Sequence, residues 1–342
     1  MGANPSGRLP LSVTGFPSPE PRVPSPKTYA GPMRVPPPGK LVDIGGLRLH
    51  LYCSGEGSPT IVLDAALGAS SVSWSLVQPE LAKLSRVCSY DRAGFGWSDP
   101  GPMPRTADRI TDELRTLLAR AGVPPPFVFV GHSFGGFIGL IFARRFRAET
   151  AGLVLVDPAH AEDWVTPAPK EQVQIDRGVR LCRYGALTAR VGLARIVATL
   201  VSFGQLRTAR LLVKVASRRG LSREDEVILA PVRRLPPELR PTLAQFWSKP
   251  HFFEALGSQI ASVCVSAGQV LEATAGGYGD LPLITISSTD PGAYRLRQQD
   301  AMAALSTRGR HILASQSGHW IPLDQPEVVV EAIKEVVAAA RA

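Results

Sequence analysis

With 342 residues, 44% of them hydrophobic, the chain can bury one large core and still carry an insertion. No apolar stretch reaches the roughly 18–20 residues that cross a bilayer, and no apolar run follows a basic start, so neither a membrane span nor a secretory signal is read. The net charge of +9 is uneven: ten Arg or Lys and no Asp or Glu stand between Gly178 and Arg223. No aromatic-interleaved basic motif accompanies them, which argues against a nucleic-acid partner.

Residues 1–40 hold 11 of the 31 prolines. Such a segment cannot bury enough apolar surface to offset its ordering entropy, so a disordered leader is expected. Folding is expected from Leu41. Leu41–Ile44, Gly45-Gly46 and Leu47–Tyr52 alternate with period two and read as a hairpin. Strand patterns follow at Thr60–Leu63, Arg86–Tyr90, Phe127–Val130 and Leu153–Val156, with the clearest helical pattern at Ile110–Ala121. The alternation resumes with Leu283–Ser287, a helix near Arg295–Leu305, His311–Ser315 and a last helix over Val328–Ala340.

Alternating strands and helices predict an α/β fold with a mainly parallel sheet covered on both faces. Between Asp157 and Asp280 the alternation stops and helical patterns punctuated by prolines take over. A structureless loop of that length is improbable. The expected organisation is therefore a core of residues 41–158 and 281–342 with a helical insertion at 159–280.

Cys53, Cys88, Cys182 and Cys264 are far apart and match no disulfide or zinc spacing. Cys53 and Cys88 are expected as buried free thiols, and the protein as reduced and cytoplasmic.

Gly131-His132-Ser133-Phe134-Gly135 lies between a short aromatic, β-branched run and a small-residue run, Phe137–Ala143. A G-x-S-x-G between strand and helix reads as a nucleophile elbow, with glycines where a Cβ would clash and the serine hydroxyl exposed at the sheet's carboxyl end. A serine needs a positioned base. Chain order in such sites runs Ser, acid, His, which selects His319 in Gln316-Ser317-Gly318-His319-Trp320. His132 is expected to line the pocket, while His50, His160, His251 and His311 show no metal-ligand spacing. The acid must sit at a strand end beside His319. Asp290, after the penultimate strand, is preferred, and Asp157, after the strand before the insertion, is the alternative. Backbone amides of Phe134 and Leu67 are expected to form the oxyanion hole, Leu67 in the loop Asp64–Ser71.

These segments resemble the α/β-hydrolase fold superfamily, in its capped esterase and lipase-like branch. The marks are the Gly131–Gly136 elbow, Tyr90-Asp91-Arg92-Ala93-Gly94-Phe95-Gly96-Trp97-Ser98 and Ser317-Gly318-His319. The middle segment is similar to the family's D-x-x-G-x-G-x-S loop, which gives Asp91 and Arg92 a supporting role. Two departures stand out. Ala65-Ala66 occupies the place of the family's usual His-Gly, and the segment after Asp290 differs from the family pattern. Relatives that open epoxides or remove halide use an aspartate nucleophile, which Ser133 argues against.

The resemblance implies a cap over the site. Leu193, Ile196, Val197, Leu200 and Val201 make its pattern apolar, while Arg207, Arg210, Lys214 and Arg218 fall near one helical face. An apolar acyl group and peripheral contact with an anionic membrane through this basic stretch are expected. The expected activity is hydrolysis of an ester, thioester or lactone through an acyl-enzyme, with no cofactor and no metal. Acyl transfer, carbon–carbon bond hydrolysis or cofactor-free perhydrolysis on the same residues is the alternative. A non-catalytic binding protein on this fold is the reading from another class.

Overall fold

A computed structural model describes residues 36–202, 208, 234–289 and 292–342. Residues 1–35, the basic face of Arg207, Arg210, Lys214 and Arg218, and Asp290 lie outside the described residues.

Eight strands form one sheet: β1 (Lys40–Asp43), β2 (Arg48–Ser54), β3 (Thr60–Asp64), β4 (Val87–Tyr90), β5 (Phe127–His132), β6 (Thr150–Val156), β7 (Leu283–Ser288) and β8 (Gly309–Ala314). Their order is β1-β2-β4-β3-β5-β6-β7-β8, with β2 antiparallel to β1 and β4 and the remaining pairs parallel. The β1–β2 turn is fixed by Asp43, whose Oδ1 accepts from the Gly45 and Gly46 amides at 2.7 Å each. Just ahead of Leu41, the Pro38 carbonyl accepts from His50 Nε2.

The central strands are apolar on both faces because both faces are covered. Alternation sends Val62, Phe127, Phe129, Leu153 and Leu155 into one core, and Ile61, Leu63, Val128, Val130, Val154 and Val156 into the other. The first core is roofed by α1 (Ala107–Arg120) and α2 (Gly135–Arg145), the second by the C-terminal helix Pro326–Arg341. Ile110, Leu114, Leu117 and Leu118 form the buried stripe of α1, and Thr106 caps its start.

Between β6 and β7 the described residues are helical: α3 (Pro169–Arg190), α4 (Leu193–Ser202), α5 (Arg240–Trp247), α6 (Pro250–Ala261) and α7 (Val263–Thr274). α3 packs along α6 at close range, because Gly178, Gly185 and Gly257 leave room for Ile260, Phe253 and Cys182. α7 sends Ala267, Val270 and Ala273 into the first core, beside α2. After β7 come α8 (Gly292–Ala303), then β8 and α9 (Pro326–Arg341). No described helix is long and apolar enough to cross a membrane.

The cysteines correct the sequence reading. Cys53 and Cys88 are not free thiols but a disulfide joining paired positions on β2 and β4. The two strands are neighbours only because β4 crosses over β3 in the sheet order, which a sequence separation of 35 does not reveal. Disulfides persist in oxidising surroundings, so the cysteine argument for a reduced, cytoplasmic protein falls. Cys182 is free and buried, its thiol pushed up to about 12 by that burial.

Candidate active site

Ser133 follows β5 at φ +55°, in the left-handed region that non-glycine residues rarely occupy. Three hydrogen bonds hold this turn: its N–H donates to Val156 O (2.9 Å), and its carbonyl accepts from the Gly136 (2.9 Å) and Ala159 (3.2 Å) amides. The flanking glycines are sterically required. A Cβ on Gly131 would run into the Gly135 backbone, and one on Gly135 would lie 2.6 Å from Asp64 O.

His319 sits in the loop after β8, and its Nδ1 lies 2.6 Å from Asp157 Oδ2. Asp157 ends β6 at φ +40°, with its amide donating to Ile286 O on β7 (2.7 Å). Its other oxygen, Oδ1, accepts from the Ser288 amide and hydroxyl, both at 3.2 Å. Burial pushes the Asp157 carboxyl up, but the His319 hydrogen bond and charge and the Ser288 amide outweigh it and hold the group below the ordinary carboxylate range. An ionised carboxylate only accepts, so Nδ1 of His319 carries a proton, and in the neutral ring Nε2 presents its lone pair. That is the form a general base needs. The alternative acid of the sequence reading is thus the one brought to His319, while the preferred Asp290 lies outside the described residues.

His132 does not line a pocket. It is fully buried, 4.9 Å from the His319 ring and edge-on to Trp74 and Trp320. Burial and the neighbouring His319 push it down to about 3, so it is neutral near pH 7. Its Nε2 meets the His319 carbonyl at 2.7 Å, which makes Nε2 the protonated nitrogen and the bond a clamp on the His319 backbone.

The loop after β3 carries the second expected oxyanion donor. Ala69 N donates to Ala66 O (3.1 Å), closing a turn with Leu67 and Gly68 at its centre, and Gly68 takes φ +71°. Among the described residues, neither the Leu67 nor the Phe134 amide donates to a backbone carbonyl. One buried guanidinium touches both segments. Arg92 pairs with Asp64 (2.7 Å), donates to the Ala65 and Ala66 carbonyls and lies 5.2 Å over the Phe134 ring. Tyr90 Oη also donates to Asp64 (3.0 Å). Burial raises the Asp64 carboxyl, with Arg92 and Tyr90 pulling against it.

Asp91 beside it gathers the Ser71 amide (2.7 Å), the Trp97 amide (3.0 Å) and His50 Nδ1 (2.9 Å). This supporting role was expected for both residues, but the reach of Arg92 to Phe134 was not. Arg92→Met would strand the Asp64 charge in the core and is expected to cost about 3–5 kcal/mol of stability. Urea unfolding read by fluorescence measures it, and a loss under about 1 kcal/mol would contradict the role.

A second Ser–His–Asp row lies nearby. Ser287 Oγ is 2.6 Å from His311 Nε2, and His311 Nδ1 is 2.7 Å from Asp300. Ser287 is fully buried, so this row ties β7, β8 and α8 together and offers no nucleophile to a substrate. His160 and His251 stand outside this row. His160 is pushed down to about 4 by burial, and His251, half-buried, is also lowered by burial.

An apolar cluster lies against the loops that carry Ala66 and Trp320. Ala66 and Val72 from the oxyanion side and Trp320 beside His319 share one cluster with Leu235, Leu243 and Phe246, with Val197, Leu200 and Trp97 packed against it.

The sequence profile of the alpha/beta hydrolase family matches residues 61–332, most of the chain. This chain belongs to the alpha/beta hydrolase family. An uncharacterized protein of Bacillus subtilis (strain 168), YqjL, is 36% identical over 121 residues, 35% of this chain and 48% of that protein. The 2-hydroxymuconate semialdehyde hydrolase of Pseudomonas sp. (strain CF600) is 34% identical over 131 residues, 37% of this chain and 46% of that protein. The match thus spans less than half of either relative. A thermophilic esterase from Thermogutta terrifontis superposes with a TM-score of 0.60 at 21% identity, over 86% of this chain and 95% of that one. A putative epoxide hydrolase from Pseudomonas aeruginosa gives 0.63 at 17% identity, over 88% and 95%. At such identities these two structures share the fold.

Proposed function

We propose that this alpha/beta hydrolase cleaves a carboxylic ester, thioester or lactone with an apolar acyl group through an acyl-enzyme on Ser133. The observation that carries the reading is the Asp157–His319 pair at 2.6 Å, beside an elbow that holds Ser133 at φ +55°. His319 Nε2 takes the Ser133 proton as Oγ attacks the acyl carbon. The amides of Phe134 and Leu67 hold the oxyanion, and Asp157 stabilises the imidazolium. His319 then returns the proton to the leaving alcohol. Water, deprotonated by the same nitrogen, releases the acid and restores Ser133. In this reading the helices between β6 and β7 act as a cap, and the cluster of Trp320, Leu243 and Phe246 supports the apolar acyl preference. A carbon–carbon bond hydrolase remains a second reading, favoured by the likeness to the 2-hydroxymuconate semialdehyde hydrolase.

A series of p-nitrophenyl esters from short to long acyl chains tests the proposal. Turnover is expected, with kcat/KM rising by roughly tenfold for every two methylenes that become buried against the apolar cluster. No turnover on any member would overturn ester hydrolysis.

A further inference from the structure

α3 carries two apolar faces. Ile175, Cys182, Ala186 and Ala189 are buried, and this side packs on α6. At 100° per residue, Val173, Tyr184, Leu187 and Val191 fall on the opposite side within about a 60° arc. They are 62%, 65%, 54% and 79% exposed. A fifth exposed apolar residue, Ile196 at 56%, stands at the start of the next helix, α4. Among the described residues, α6, the main partner of α3, lies on the side opposite this stripe.

The charges around the stripe are mostly positive, with the exposed Asp176 at one edge of the arc as the exception. From residue 177 to residue 202 there are Arg177, Arg180, Arg183, Arg190 and Arg195 and no acidic residue. Arg180 lies within the arc, and Arg183 and Arg190 run along one edge of it. Arg190 pairs with Glu254 at 2.6 Å on the surface, where such a pair is screened and weak. An exposed apolar strip set among arginines fits an interface that is apolar within and anionic at its surface. Long arginine stems can lie along the acyl boundary while their heads stay among phosphates.

We propose that the outer face of α3, extended by Ile196, docks the protein on the surface of an anionic phospholipid bilayer. Tyr184, Leu187 and Val191 enter the headgroup–acyl boundary, and Arg180 and Arg183 meet lipid phosphates. The residues of α3 involved face away from α6, Ile196 belongs to α4, and docking does not depend on the reaction at Ser133.

Flotation of the full chain with vesicles tests it, comparing phosphatidylcholine alone with phosphatidylcholine containing about 30% phosphatidylglycerol. Binding is expected to the anionic vesicles at low salt, and its loss is expected near 0.5 M salt, where the Debye length falls to about 4 Å. Arg180→Gln with Arg183→Gln should weaken partition by about thirtyfold, the equivalent of about 1 kcal/mol for each arginine. Leu187→Ser with Val191→Ser should weaken it by at least tenfold without changing the charge. Both pairs lie on the solvent side of α3, and wild-type circular dichroism checks that they fold. Absence of binding by the wild type at low salt would overturn the proposal, as would binding that neither pair weakens. Self-association abolished by Leu187→Ser and Val191→Ser, in a protein that ignores vesicles, would assign the face to a second copy and also overturn it.

Discussion

Ser133→Ala is expected to lower kcat for ester hydrolysis by about 10⁵-fold, leaving KM and the unfolding midpoint near their wild-type values. The size follows from the division of labour. Without Oγ there is no acyl-enzyme, and only the oxyanion amides and substrate binding remain to help water attack directly. Stability should hold because the strain at φ +55° is backbone strain, shared by Ser and Ala alike. The three main-chain hydrogen bonds at this position also survive the change. Progress curves with a p-nitrophenyl ester and a urea titration separate the two effects. A variant retaining more than about a hundredth of the wild-type rate would remove Ser133 from the chemistry.

The second large effect falls on the acid. Asp157→Asn is expected to reduce kcat by about 10⁴-fold, because an amide turned with its NH₂ toward Nδ1 forces the proton onto Nε2. That nitrogen could then no longer accept from Ser133. The amide would also lose part of its hold on Ser288, whose backbone and hydroxyl both donate to Asp157 Oδ1. Asp290→Asn is expected to stay within about twofold of wild type. The ranking is the point of measuring both: a large loss at Asp290 with a small one at Asp157 would reverse the assignment.

Much of the site was legible because its parts are local in sequence. The elbow needs glycines at close backbone approaches and sits between a buried strand and a buried helix, and Gly131, Gly135 and their neighbours state this directly. His319 follows from chain order. The choice of acid was not legible, for a geometric reason. β6 and β7 are adjacent and parallel, with Val156 opposite Ile286, so the two strands end side by side and either end could approach the histidine. The turn at Asp157, with φ +40° and its carboxylate directed at His319 Nδ1, is announced by no residue pattern, and Asp290 lies outside the described residues.

Departures from the sequence reading arise from long-range contact. The Cys53–Cys88 bond depends on β2 lying beside β4 with β3 outside them, a fact of sheet order. His132 was placed on a pocket wall because it adjoins Ser133. The alternation of β5 instead drives its ring into the core, where its Nε2–H reaches the His319 carbonyl. Arg92 was legible as a support from its loop motif, but its simultaneous reach to Asp64, Ala65, Ala66 and Phe134 required the loops to be assembled. The outward stripe of α3 shows the converse. A helix with apolar residues on opposite sides has no single amphipathic period, so which side faces the protein emerges only from its packing on α6.

Whether Ser133 is an activated nucleophile is read most directly by labelling with a fluorophosphonate followed by peptide mass mapping. A single modified peptide carrying the adduct on Ser133 is expected, with labelling slowed by several orders of magnitude in His319→Ala. An unlabelled Ser133 in folded protein, or labelling at the same rate without His319, would contradict that role.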